Sequence, residues 1–291
     1  MASSRLTVLI TGCSDGGVGS ALAKELHARG LHVYATARNI SKMRALSDIP
    51  GIEVLPLDIT SLDSINECLH RVPRLDILVN NAGAQYAMPI SDLDITEAKK
   101  LFDANVWGHV AMTQAFLPLL LKSPRGTVVN HTSIGAGSPI PFQAAYNASK
   151  AAMAMFSNTL RLELESAFGI KVIELRTGGV KTQIISNVQS KKFVIPEQSI
   201  WAPARDLVNK VLRQEWAESF GIPPEQWAKG VVSDVLKERP ARVVWRGEMA
   251  LMMKIMGWVL PSAWLGRVMK RAMGFQEVER LVRQEGREKQ A

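Results

Sequence analysis

The sequence predicts a doubly wound α/β fold, with about seven parallel strands in one sheet and helices on both faces. Three observations carry that expectation. Short apolar runs alternate with helical patterns over the first two-thirds of the 291 residues. The runs are nearly all apolar instead of alternating, as strands buried on both faces of a parallel sheet must be. The first run, LTVLI, passes directly into TGCSDGGVG, Thr11 to Gly19, a glycine-rich turn ahead of a helical pattern. Right-handed crossovers between such strands wind the sheet outward from its centre.

The elements follow in order. Strand-like runs lie at Thr7–Ile10, His32–Thr36, Glu53–Pro56, Asp76–Val79, Thr127–Asn130 and Lys171–Leu175, and Ala241–Trp245 supplies a seventh. Helical patterns lie between them at Gly19–Arg29, Ser41–Leu46, Leu62–His70, Thr96–Leu121 and Ala145–Ala167. No linker or repeat interrupts them, so residues 1–246 read as one catalytic domain. Gln183 to Trp227 breaks the rhythm and is rich in Trp, Pro and Gln. A long irregular segment inserted late in such a fold is expected to be a substrate lid. Residues 247–291 read as an apolar and basic helical extension.

Composition narrows the function. Hydrophobic residues make up 47% of the chain, enough for a large core. The formal net charge is +8, but no Lys/Arg cluster with interleaved aromatics is present, which argues against nucleic acid as a partner. Cys13 and Cys68 are the only cysteines, without metal or disulfide spacing. His27, His32, His70 and His109 are scattered, so no metal site is expected. The N-terminus has neither a charged leader region nor an apolar one, and no run is long enough to span a bilayer. These points predict an intracellular, cytoplasmic protein. In residues 249–274 apolar Met, Trp and Leu are flanked by basic residues. Two expectations stand for that stretch: peripheral contact with an endoplasmic reticulum or lipid-droplet membrane, or closure over the pocket.

The glycine loop points to a phosphate. Free backbone N–H groups and the dipole of a helix N-terminus both favour an anion, and glycine allows close approach. Gly12, Gly17 and Gly19 fit these tasks. Gly16 makes the loop one residue longer than usual, and which of Gly16 and Gly17 takes the middle place is open. At the end of the second strand, VYATARN has Ala37 where an acid would bind a ribose 2′-hydroxyl, and Arg38 follows. Arginine pairs with a 2′-phosphate where an acid repels it, so the expected cofactor is NADP(H), with Ser14 adding a hydrogen bond.

The remaining polar motifs gather at the carboxyl ends of strands. In YNASK, Tyr146 and Lys150 share a helix face, and an ammonium near a phenol is expected to lower its pKa toward neutrality. Ser133 ends the strand GTVVNHTS, where its hydroxyl is placed to polarise a carbonyl oxygen with Tyr146. NNAG, Asn80 to Gly83, ends the fourth strand, and Asp58 ends the third near the expected adenine position. Asn105 lies within a long helical pattern, where its side chain is placed to hold a proton-relay water. His131 beside Ser133 invites a hydrolase reading, but the Gly-x-Ser-x-Gly turn and an acid partner are missing.

From about Thr7 to Thr182 the chain resembles the short-chain dehydrogenase/reductases, with TGCSDGGVG, NNAG, Asn105, Ser133 and YNASK in order and at family spacing. The resemblance implies a Rossmann-type fold and hydride transfer at a carbinol or carbonyl carbon. It makes Asn105, Ser133, Tyr146 and Lys150 the catalytic tetrad, with Lys150 also holding the nicotinamide ribose. The implied cofactor contacts are Gly12, Ser14, Gly17, Val18, Gly19, Arg38, Asp58, Asn81, Ala82, Gly83, Tyr146, Lys150, Gly178, Val180 and Thr182. The family usually has Pro-Gly after the sixth strand, where this chain has Thr177-Gly178. Within the family the likeness is to fungal NADPH-dependent 1-acyldihydroxyacetone-phosphate reductases and relatives of secondary metabolism, on TGCS, YATARN, ARVVWRG and the apolar-basic tail.

The expected substrate is a large, apolar small-molecule ketone or alcohol, set against Phe142, Gln143, Ile184, Phe193 and Trp201, with Ile185 nearby. Lys181, Lys191 and Lys192 stand ready for a substrate phosphate, if there is one. A homodimer or homotetramer is implied through the two long central helices. A cofactor-binding protein without turnover is the other class of function considered; a missing Tyr or Lys would signal it, and both are present.

Overall fold

The computed structural model describes residues 5–182, 193–215 and 220–288. Seven parallel strands form one sheet in the order β3-β2-β1-β4-β5-β6-β7. They are β1 (Thr7–Thr11), β2 (His32–Ala37), β3 (Ile52–Pro56), β4 (Ile77–Asn80), β5 (Thr127–Ser133), β6 (Lys171–Thr177) and β7 (Val243–Arg246). The helices up to β6 are α1 (Val18–Ala28), α2 (Arg44–Ser47), α3 (Leu62–His70), α4 (Ile95–Phe102), α5 (Gly108–Leu121) and α6 (Ala144–Phe168). Beyond β6 come α7 (Arg205–Leu212), α8 (Pro224–Val235), α9 (Ala250–Val259), α10 (Ser262–Ala272) and α11 (Phe275–Glu288).

Successive side chains of a strand leave opposite faces, and β1 shows what that does. Val8 and Ile10 join the layer containing Leu22 and Leu26 of α1 and Trp227 and Val231 of α8. Leu9 joins the opposite layer with Ile65 of α3, Met112 and Phe116 of α5, and Leu164 of α6. Each fully buried side chain of this kind contributes roughly 1.5–3 kcal/mol. The all-apolar strands are thus the consequence of helices on both faces.

Strand order reverses beside β1, because the chain leaves β3 at one edge and re-enters the sheet as β4 on the far side of β1. That leaves a crevice above the carboxyl ends of β1 and β4, the place where doubly wound sheets take ligands. The opposite end is tied by Asp76, whose carboxylate accepts the Thr7 N–H at 2.8 Å and the Arg74 guanidinium at 3.0 Å.

Four stretches differ from the sequence expectation. The pattern Thr96–Leu121 is not one helix: a π-helical turn, Asp103–Trp107, separates α4 from α5. The pattern Ser41–Leu46 is a 3-10 turn, Ile40–Lys42, followed by the short α2, because the Asn39 side chain accepts the Ser41 N–H and caps the turn. The segment expected to be irregular, 183–227, contains α7 and the start of α8. The tail forms three helices, broken at Pro261 and at Gly274, which has φ +66°.

Helix α9 buries Ala250 and Met253 and exposes Leu251, Ile255, Trp258 and Val259. Helix α11 packs Phe275 and Val278 against Phe142, Val208 and Leu212. Among the described residues no helix is long and apolar enough to cross a membrane.

Candidate active site

The loop after β1 sets the floor of the crevice. Gly12 has φ +76°, and a Cβ there would lie 2.7 Å from the Ala82 Cα. Gly16 has φ +70°, whereas Gly17 is extended and forms the N-cap of α1. Gly17 also lines the cleft, so the extra residue of this loop is the turning Gly16. Gly19 does not line the cleft, contrary to its expected contact role: it faces inward, where a Cβ would meet the Gly12 carbonyl oxygen at 2.3 Å. Its task is to let α1 approach the strand.

Beyond these glycines a cleft of about 1440 Å³ runs along the carboxyl ends of the strands. Ser14, Val18, Arg38 and Asp58 line one part of it. Asn81, Ala82 and Gly83 from the end of β4 line the middle. Ser133, Tyr146, Lys150, Gly178, Val180 and Thr182 complete the wall, with Gln143 and Phe193 farther along. Burial pushes the Asp58 carboxyl up, but hydrogen bonds from the Thr60 hydroxyl and N–H, together with Arg38, outweigh it and hold the carboxyl below its ordinary value. The tight glycine floor at a helix N-terminus and a cationic side chain at the end of β2 fit a dinucleotide carrying an extra phosphate.

Ser133 and Tyr146 both line the cleft wall, and the Ser133 side chain is near enough to the phenol to help lower its pKa. Ser133 Oγ also accepts the Gly135 N–H at 3.1 Å, which fixes the serine at the end of β5. Lys150 lies one turn along α6 from Tyr146, with Nζ 5.8 Å from the phenol ring centroid. Its ammonium donates to the His131 carbonyl oxygen at 2.9 Å. Burial pulls Lys150 down to about 8.

The phenol departs from expectation. Burial raises Tyr146 above its ordinary value of 10.0, and hydrogen bonds with Ser133 and Gln85 only partly offset this. The lowering expected from Lys150 is therefore corrected. Its charge points at His131, and desolvation of a phenolate in this wall is the larger effect.

Asn105 is buried in the π-helical turn. Its Oδ1 accepts the Ala84 N–H at 2.8 Å, and its Nδ2 donates to the Ala84 oxygen and to Ser149 Oγ, each at 3.0 Å. Ser149 Oγ in turn donates to the Tyr146 carbonyl oxygen at 2.7 Å. Each polar atom of the side chain thus has a protein partner. It clamps the loop after β4 to the helix turn that carries Tyr146. A π turn at such a place re-aims one side chain without ending the helix.

Two expected substrate residues, Phe142 and Trp201, do not line the cleft. Their rings pack edge-on with centroids 5.3 Å apart, and both meet Phe275 of α11. They seat the C-terminal helix, an anchor whose partner lies too far along the chain for the sequence pattern to show. Ile184, Ile185, Lys191 and Lys192 lie outside the described residues. Lys181 is exposed and is not part of the cleft wall.

Two side chains, Gln85 and Gln214, were missed, as was the bracing role of His131. His131 bridges Asn81 Oδ1 at 2.9 Å and Thr177 Oγ1 at 2.6 Å. The threonine that replaces the usual proline therefore braces the loops after β4 and β6. Gln85 lines the cleft with Tyr146 and accepts a bond from Gln214 at 2.9 Å. A polar residue just past NNAGA was a signal for Gln85; Gln214 had none. Among the described residues no cluster of His, Cys, Asp and Glu forms a metal site.

Fold and site define an oxidoreductase of the short-chain type, and the chain belongs to the short-chain dehydrogenase/reductase family, whose short chain dehydrogenase profile matches residues 6–192. It is 46% identical to a short-chain dehydrogenase/reductase of Pestalotiopsis microspora, over 97% of this chain and 99% of that protein. It is 41% identical to the NADPH-dependent 1-acyldihydroxyacetone phosphate reductase of Schizosaccharomyces pombe, over 84% of this chain and 86% of that one. Its fold is similar to a short chain dehydrogenase from Burkholderia cenocepacia in complex with NADP, at 25% identity and a TM-score of 0.70, covering 90% of this chain and 97% of that one.

Proposed function

We propose that this protein is an NADP(H)-dependent oxidoreductase that interconverts a ketone and a secondary alcohol. Its substrate is largely apolar, of the polyketide or terpenoid type handled in a biosynthetic pathway. The observation that carries the proposal is that the Ser133 hydroxyl and the Tyr146 phenol line one cleft wall, with Lys150 one helical turn behind. Arg38 in the same cleft supports the phosphorylated cofactor, as do the NADPH-dependent relative and the NADP-bound one.

The cofactor's part is to supply or accept the hydride. Gly12, Gly17 and Ser14 would hold its pyrophosphate, Arg38 its 2′-phosphate, and Lys150 and Tyr146 the ribose beside the reacting ring. As charge develops on the carbonyl oxygen, Tyr146 gives it a proton and Ser133 donates a hydrogen bond. Lys150, cationic below about 8, keeps its ammonium on the His131 carbonyl oxygen, one turn along α6 from the phenol. Asn105, through Ala84 and Ser149, keeps the two walls in register. Cytoplasmic placement belongs to the same proposal, with the exposed apolar face of α9 supporting membrane contact. Exposed Trp107, Met155, Phe156 and Leu162 support pairing of subunits through the central helices.

A second substrate, an acylated dihydroxyacetone phosphate, is favoured by the identity to the S. pombe enzyme. The test is oxidation of NADPH, against NADH, by purified protein over apolar ketones of polyketide and steroid type and acyl-dihydroxyacetone phosphate. NADPH-dependent turnover of one class supports the proposal. NADPH binding with silence across the panel favours a non-catalytic binding protein.

A further inference from the structure

We propose that Thr177, His131 and Asn81 form a directed hydrogen-bond chain that positions the cofactor, holding the glycine floor at one end of the cleft against the loop after β6 at the other. The role rests on NADP(H) occupying the cleft. It makes positioning residues of Thr177 and His131, which lie outside the four motif residues.

The chain crosses the carboxyl ends of four neighbouring strands, β1, β4, β5 and β6. Asn81 Nδ2 donates to the Thr11 carbonyl oxygen at 2.7 Å and to the Gly12 carbonyl oxygen at 3.1 Å. Carbonyl oxygens only accept, so these two fix which end of the amide faces them. The amide oxygen is left for the other side, where Oδ1 meets His131 Nδ1 at 2.9 Å. That oxygen carries no proton, so Nδ1 supplies the hydrogen. Burial against the Trp227 ring, centroids 5.4 Å apart, and then the Lys150 ammonium on its own carbonyl oxygen keep the imidazole neutral. A neutral ring protonated at Nδ1 has a bare Nε2, and the Thr177 hydroxyl, 2.6 Å away, donates to it. Donation therefore runs from Thr177 through His131 and Asn81 to Gly12.

Both ends of the chain are anchored. The Asn81 and Ala82 N–H groups donate to Thr11 Oγ1, each at 2.9 Å. Gly19 leaves room for the amide, since a Cβ there would lie 2.6 Å from Asn81 Nδ2. At the far end Thr177 pairs with Ser133 and Arg246 in the sheet, and the Gly178 N–H donates to the Arg246 oxygen at 2.8 Å. Asn81, His131 and Thr177 line the cleft together with Gly12 and Gly178. A dinucleotide with its pyrophosphate over Gly12 and its nicotinamide toward Gly178 lies along this row. Removing the Thr177 hydroxyl leaves Nε2 without a donor and loosens the ring that holds Asn81 Oδ1.

The protein has five histidines, so ¹⁵N NMR of the imidazole rings can follow His131, assigned by its loss in His131→Gln. In the full-length protein without cofactor, near neutral pH, the ring is expected in its Nδ1–H form. Thr177→Val keeps the shape of the side chain and removes the hydroxyl, so the Nε2 resonance should move toward that of a nitrogen with no hydrogen bond. Thr177→Ser should restore it. Binding is read with NADPH and with adenosine 2′-phosphate 5′-diphosphate, which keeps the pyrophosphate but lacks the nicotinamide riboside and so does not reach the loop after β6. Thr177→Val is expected to weaken both ligands about 3- to 10-fold, the loss of one hydrogen bond, and Thr177→Ser to bind them within about twofold of the native protein. An Nε2–H ring in the native protein overturns the chain. So does binding of the shorter ligand that Thr177→Val leaves unmoved, or an equal loss in Thr177→Ser. Failure of both ligands to bind the native protein removes the proposed cofactor itself, whereas native binding that Thr177→Val does not change removes only the positioning role.

Discussion

The Lys150 ammonium donates to the main-chain oxygen of His131 at 2.9 Å. One buried cation thus joins β5 to the helix that carries Tyr146. Burial first, then Lys150, holds the two histidines beneath the site neutral: His109 is lowered to about 3, and His131 lies well below 6.5.

This predicts acid sensitivity. Unfolded imidazoles bind protons below about 6.5, whereas the folded ones do not until near 3 in the case of His109. Stability is therefore present above pH 6.5 and is lost as pH falls below it, at up to about 1.4 kcal/mol per pH unit for each histidine. Urea midpoints measured from pH 7.5 to 5 should fall, and His131→Gln should flatten the slope. A pH-independent midpoint would contradict the assignment.

Arg38→Ala should raise KM for NADPH about 10- to 100-fold and leave NADH nearly unchanged, the loss expected for one charge-assisted contact to phosphate. Steady-state kinetics with both cofactors checks this. Equal effects on the two would place Arg38 outside the 2′-phosphate site.

Gly12→Ala combines a left-handed backbone with a Cβ 2.7 Å from the Ala82 Cα. Loss of about 1–3 kcal/mol is expected, together with weaker NADPH binding. Thermal melting with and without NADPH reads both effects.

Asn105→Leu strips the Ala84 N–H and carbonyl of their partners and frees Ser149 from the loop. About 2–4 kcal/mol of stability should be lost, and kcat should fall more than KM rises. A change confined to kcat at full stability would instead give Asn105 a direct part in proton movement.

Much of this was legible from the chain. Apolar runs marked the strands because both sheet faces are covered, and turn residues placed Ser133, Tyr146 and Lys150 at one edge. What stayed hidden depends on contacts distant in sequence. The π turn at Asn105 keeps an ordinary helical pattern, so periodicity over Thr96–Leu121 does not reveal it. Phe142 and Trp201 looked like pocket wall because aromatic residues at that fold position face either a ligand or a helix; Phe275, over 70 residues later, takes that space. The raised Tyr146 reflects burial, which spacing to Lys150 does not report.

The most direct test of the central claim is product analysis after reaction with NADPH deuterated at the transferable C4 position. The account predicts one deuterium on the carbinol carbon of a ketone-derived alcohol with the native protein, and turnover reduced at least about 100-fold in a folded Tyr146→Phe variant. An alcohol formed without deuterium, or at an unchanged rate by Tyr146→Phe, would contradict it.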